Sequence, residues 1–173
     1  MSSPDTLMNT ARFVVRFAWF ANRFVLVAIV ALVLGSFIFD AGFTDVVGES
    51  LPGADIVSAK TGMRLLALLG IVMAVVTDRL LGTLSAIVGT AAAGEPFVAI
   101  NAQRLQFIGW CLLALQLCDI PGGLIARYFP AMGSAAPEVD ISFAGWIAVL
   151  MAFVLARIFA VGSAMRDELE GTV

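Results

Sequence analysis

The residues best placed to do chemistry are the few ionisable side chains that interrupt apolar sequence, and Asp119 is foremost among them. It stands in Gln116-Leu117-Cys118-Asp119-Ile120-Pro121-Gly122-Gly123. Counted from Arg104 along a helix, it lies about 22 Å on, toward the far side of a hydrocarbon layer about 30 Å thick. An acid at that depth is read by default as functional: a proton-, ion- or ligand-binding carboxylate. The structural alternative is an acid in a wet, widened interface, paired with Arg64 or Arg127. Pro121 cannot donate to the carbonyl of Leu117, so a kink or an early helix end is expected beside it. Asp78 and Arg157 are the other intramembrane ionisable candidates. Adjacent Asp78 and Arg79 point in different directions on a helix, so Asp78 is expected to pair with another helix. Arg157, at similar depth, is a candidate partner.

Enzymatic chemistry has little to stand on. Histidine is absent, which removes the commonest metal ligand and the commonest general base together. No Ser/His pair, metal motif or phosphate loop occurs, so no catalytic residue, metal or cofactor is expected. Cys111 and Cys118 are seven positions apart in one apolar stretch, about 10 Å along a helix axis. They cannot bridge each other and are read as packing residues. The net charge is −3, with the basic residues scattered, which gives direct nucleic-acid binding no electrostatic basis.

What must position these residues is a set of membrane spans. Of 173 residues, 61% are hydrophobic and only 13% charged, with a mean hydropathy of +1.00. That composition belongs to integral membrane proteins. The expected fold is all-α, a polytopic membrane protein forming a bundle of four transmembrane helices in a single domain. The spans fall at about residues 20–40, 62–84, 104–128 and 141–164. Ahead of the first span, Arg12, Arg16 and Arg23 lie within roughly 40° of one another on a helical wheel, among Phe13, Phe17, Trp19 and Phe20. This basic stripe on an aromatic helix is read as lipid-contacting. Residues 40–60 read as a polar loop with at most a turn of helix. The stretch from Leu80 to Gly94 is rich in small residues suited to close helix contact. Gly94 and Pro96 then end the second helix in a hinge at 94–104. In the last span, Ala144, Ala148, Ala152, Ala156, Ala160 and Ala164 recur every four positions, a stripe expected to admit a neighbouring helix over its whole length, or a second copy in a homo-oligomer. A polar tail, 165–173, follows.

Four spans put both termini and the hinge on one side. That side receives Arg12, Arg16, Arg23, Arg79, Arg104, Arg157 and Arg166, whereas the other receives Lys60, Arg64 and Arg127. The positive-inside rule therefore places termini and hinge in the cytoplasm.

Gly94-Glu95-Pro96-Phe97, then Asn101, Arg104-Leu105 and Ile108-Gly109-Trp110, resembles a bacterial membrane family, the domain-of-unknown-function 2975 or YoaS-like family. The segment from Ala156 to Gly162 and the closing Met165 to Val173 are similar to it as well. Relatives commonly place a serine, threonine or acid after the phenylalanine, where it caps the third helix. Here Val98 stands there, and Asn101 is the candidate substitute cap. Genes of this family often neighbour a small helix-turn-helix regulator, so the resemblance implies a bacterial inner-membrane protein with a protein partner. The expected function is non-enzymatic: docking or regulation, of such a regulator or within a larger membrane complex. Glu95, Phe97, Asn101, Arg104, Arg166 and Glu168 are the candidate docking residues. The alternative is a small transporter or ion-conducting oligomer that uses Asp119.

Overall fold

A computed structural model describes residues 4–136 and 142–170. It is 90% helical, and no strand occurs among the described residues. The elements are α1 (Pro4–Ile38), α2 (Asp40–Ser50), α3 (Ile56–Ala92), α4 (Ala99–Leu117), α5 (Asp119–Tyr128), a 3-10 segment (Pro130–Ala135) and α6 (Phe143–Glu170). Among the described residues four stretches are long and apolar enough to cross a membrane: Met8–Ile38, Ile56–Ala92, Ala99–Tyr128 and Phe143–Arg166. Large apolar side chains such as Phe24, Val27, Val72, Ile147 and Leu150 face outward along them. That outward face suits lipid, where a greasy surface carries no penalty.

Local sequence explains where the helices start and stop. Asp55 Oδ1 accepts the Val57 amide at 3.2 Å and Ser142 Oγ accepts the Gly145 amide at 3.2 Å, side-chain caps at the starts of α3 and α6. α3 runs 37 residues. α4 gives way to α5 at Cys118, which keeps right-handed helical angles; Pro121 has no N–H for the carbonyl of Leu117, and the ladder resumes with Gly122 N–H to Cys118 O at 3.1 Å.

Residues 40–50 form a helix rather than the expected loop. Gly42, Thr44 and Gly48 depress helix propensity and hid it. Burial stabilises it, with Val47 2% exposed and Phe43 half-buried one turn earlier; locally, Asp40 sits in the first turn, where the helix dipole favours an anion.

The contacts divide the chain into two compact units. One comprises Met1–Asn22, Val76–Gln116 and Ser142–Val173. Its packing is built from aromatic rings in glycine gaps. Phe153 lies 3.1 Å from where a Cβ on Gly109 would stand, and Trp110 meets the same ring edge-on at 5.3 Å. Trp19 lies over Gly82 and donates Nε1–H to Asp78 Oδ1 at 2.7 Å. Gln116 fills the space beside Gly145 and donates to Ser142 O at 3.3 Å.

The alanine stripe of α6 behaves differently from expectation. Ala152 and Ala156 are buried, but Ala144, Ala148 and Ala164 are exposed. A four-residue step advances about 400° on a helix, so the stripe drifts roughly 40° per step and only its middle faces a neighbour. The buried line is Val149, Ala152, Ala156 and Ser163, at three-, four- and seven-residue spacings.

The second unit comprises Arg23–Val75 and Leu117–Ile141. Met132, 0% exposed, seats its sulfur at Gly62, with Phe129 beside it. Ile29 packs at Gly70 and Leu69 at Gly122.

Candidate functional site

The hinge is a closed hydrogen-bonded structure. At the end of α3, Glu95 N–H bonds to Thr90 O and Gly94 N–H to Ala91 O, each at 3.1 Å. Gly94 takes φ +83°. This is the Schellman arrangement, in which a left-handed glycine lets the last carbonyls of a helix find donors. Pro96, with no N–H of its own, then turns the chain out of the helix.

Asn101 holds that turn in place. Its side chain is 0% exposed and donates Nδ2–H to Thr90 Oγ1 at 2.8 Å and to Pro96 O at 2.9 Å. Its Oδ1 accepts from Arg104 Nη1 at 3.0 Å, and the same Nη1 lies 3.5 Å from Ala86 O. The Thr90 hydroxyl itself donates to Ile87 O at 2.9 Å. Thus one amide ties the end of α3, the turn and the first turn of α4, with its two N–H groups and its carbonyl oxygen all engaged. The sequence suggested a cap; the structure shows a staple, whose amide hydrogens point back to α3 and the turn.

The six candidate docking residues therefore separate. Asn101 is internal, and Arg104 is half-buried against it. Glu95 is exposed, and Phe97 is 44% exposed. The covered face of Phe97 meets Phe159 at 5.2 Å between ring centroids and lies 3.2 Å from the Cβ position of Gly162. So the hinge leans on α6, where glycine leaves room for the ring. Further along α6, Arg166 is half-buried and Glu168 exposed. The tail residues Gly171–Val173 lie outside the described residues.

The intramembrane candidates have different surroundings. Asp78 accepts the Trp19 indole hydrogen bond already described. Asp119 is half-buried in the first turn of α5. Arg64, one of its two candidate partners, is engaged elsewhere, and Arg127 is exposed in the last turn of α5. Arg157 is exposed beside a groove of about 350 Å³ lined by Ala102, Gln103, Gln106, Phe153, Ala156, Arg157 and Ala160. Of the N-terminal arginines, Arg12 is half-buried while Arg16 and Arg23 are exposed.

One cluster escaped the sequence reading. Asp40 Oδ1 receives both Lys60 Nζ and Arg64 Nη2 at 2.6 Å. Lys60, 8% exposed, also donates to Thr44 Oγ1 at 2.7 Å. Arg64 reaches Ser36 through Nε to Oγ at 3.2 Å and through Nη2 to the carbonyl oxygen. Its guanidinium stands 4.2 Å from the centroid of the Phe37 ring, a cation–π contact. The Lys60 hydrogen bond, and after it that of Arg64, holds the Asp40 carboxyl below its ordinary value. The signal was present as two i, i+4 pairs, Ser36 with Asp40 and Lys60 with Arg64. Nothing local says that the two pairs face each other.

Among the described residues no three side chains of the His, Cys, Asp and Glu types gather as metal ligands would. Comparison with known proteins gives a single footing. A family model described as "Protein of unknown function (DUF2975)" matches residues 59–173, which takes in α4, α5, α6 and nearly all of α3, and with them the staple and the groove. No curated protein and no solved structure matches.

Proposed function

Since the chain belongs to the DUF2975 family, whose function is unassigned, we propose a role from its own geometry: a non-enzymatic docking or regulatory protein of the bacterial inner membrane. It spans the membrane four times, with both termini and the hinge in the cytoplasm, as the excess of arginine on that side favours. The hinge is the docking element. A protein partner, either a helix-turn-helix regulator or a subunit of a larger membrane complex, binds the exposed Glu95 and the free face of Phe97. Glu168 and Arg166 extend the polar rim.

The observation that carries this reading is the Asn101 staple. Its three hydrogen bonds fix the hinge before any partner arrives. A preorganised loop loses less conformational freedom on binding, and a half-exposed aromatic on a rigid base beside an acid suits an interface anchor. Asn101 and Arg104 thereby pass from contact residues to positioning residues.

The test is co-purification from native membranes in mild detergent, comparing wild type with Glu95→Arg and with Phe97→Ala. A partner lost from both variants, while each keeps the wild-type elution volume, supports docking at the hinge. A partner set that is the same in all three proteins removes it.

A further inference from the structure

We propose that the groove between α4 and α6 is a binding site for an anionic phospholipid, with the headgroup phosphate on Arg157 and an acyl chain along the groove floor. The inference rests on the membrane placement above and is independent of any protein partner.

The groove wall is made of donors. Arg157 offers a guanidinium fork, and Gln103 and Gln106 each offer an amide N–H₂. Among the described residues none of these three side chains has a hydrogen-bond or ion-pair partner. No acid lines the groove. A guanidinium matches phosphate geometry through paired N–H groups, and three unengaged donor groups with no anion are complementary to a negatively charged acceptor.

The floor is apolar and shallow. Ala102, Ala156 and Ala160 present only methyl groups, and Phe153 closes one part. Small residues on the facing helices leave about 350 Å³ of space between them. Ala156 lies at the base of the groove, 8% exposed.

Depth decides between a lipid and a soluble anion. Arg157 lies nine positions before Arg166, the end of the apolar stretch of α6, which is about 13 Å along the axis. Gln103 and Gln106 are about 6 and 10 Å from the start of α4. A guanidinium at that height is costly to leave without a partner and within reach of the headgroup layer by extending its stem. The polar wall and the apolar floor then match the two ends of one amphiphile. A free phosphate would leave the floor unused.

The experiment uses the full-length protein, delipidated in mild detergent and reconstituted into nanodiscs of phosphatidylcholine containing a trace of labelled phosphatidylglycerol or of labelled phosphatidylcholine. Retention of the label through detergent re-extraction and native mass spectrometry is the readout. Phosphatidylglycerol is expected to be retained about tenfold over phosphatidylcholine. Arg157→Gln abolishes the preference, Arg157→Lys restores part of it, and Arg127→Gln, at an exposed arginine outside the groove, leaves it intact. Inorganic phosphate at millimolar concentration does not displace the lipid. Equal retention of the two lipids by wild type, or an unchanged preference in Arg157→Gln, overturns the assignment. Displacement by inorganic phosphate shows a free-anion site instead and overturns the lipid. Should Arg157→Gln fail to fold, the wild-type comparison and the phosphate competition still decide. A protein that carbonate washing strips from membranes defeats the membrane placement itself, separately from the groove.

Discussion

Replacing Asn101 with alanine removes one side chain and undoes three connections at once. Two neutral hydrogen bonds disappear, to Thr90 Oγ1 and to Pro96 O, together with a charge-assisted one from Arg104. Neutral bonds contribute about 1 kcal/mol each and those to charged groups about 1.5–3 kcal/mol. Because the position is fully buried, water cannot replace the lost partners without opening the hinge. Arg104 retains the 3.5 Å approach to Ala86 O and can turn toward solvent, which offsets part of the loss. A net cost of about 3 kcal/mol follows, concentrated at the hinge. At about 1.4 kcal/mol per decade, local opening becomes roughly a hundredfold more frequent. Hydrogen exchange in detergent reads this at the amides of Gly94 and Glu95, whose bonds to Ala91 and Thr90 the staple protects. Amides in the middle of α6 serve as the internal control and are expected to be unaffected. Asn101→Asp is the sharper variant, since a carboxylate still accepts from Arg104 but faces Thr90 Oγ1 and Pro96 O with no proton to give. It is expected to open the hinge nearly as far as alanine does. If Gly94 and Glu95 exchange at wild-type rates in Asn101→Ala, the staple argument is wrong.

Two other perturbations test the packing. Gly109→Val places side-chain atoms where the Phe153 ring stands, 3.1 Å from the first added carbon, and overpacking of this kind costs about 1–3 kcal/mol; a melting midpoint equal to wild type in the same detergent counts against the ring-in-gap description. Asp40 supplies a pH dependence with a definite sign. Its folded-state pKa is lowered, so its contribution is present above the ordinary carboxylate value of 3.8 and is lost as pH falls through the depressed one. Acid melting curves should therefore drop less steeply below about pH 4 in Asp40→Asn than in wild type, from a lower plateau; parallel curves would show that the clasp adds nothing.

The four apolar helices were legible because membrane composition overrides local detail: uncharged, mainly apolar runs such as Phe24–Phe39 and Leu105–Cys118 leave few alternatives to a membrane span. Gly94 and Pro96 were legible too, since a left-handed glycine followed by a residue with no N–H marks a helix end by stereochemistry alone. The elements that misled depend on tertiary partners. α2 is weak by propensity and is fixed by Val47 burial and by Lys60 and Arg64 arriving from α3. The alanine stripe was read at a four-residue period that a helix does not have. Asn101 was recognised as a helix-end residue, but the direction of its hydrogen bonds depends on Thr90 being opposite, eleven positions back, across a turn whose path no residue type specifies. The acceptor of Arg64 was hidden for the same reason: Asp40 lies twenty-four positions away.

The length of α3 has a mechanical consequence. Its 37 residues measure about 55 Å, while a hydrocarbon layer of about 30 Å takes up only about 39 Å of a helix tilted as far as 40°. At least about 16 Å of continuous helix must stand clear of the lipid tails. The hinge is fastened to the last turns of this rod through Ala86, Thr90 and Ala91, so its bearing is set by the helix's phase. Adding one residue to α3 upstream of Ala86 would swing the hinge by about 100° and raise it by about 1.5 Å. The bearing of the hinge is thus indexed by residue number along α3, much as a pointer is set by the turn of a screw.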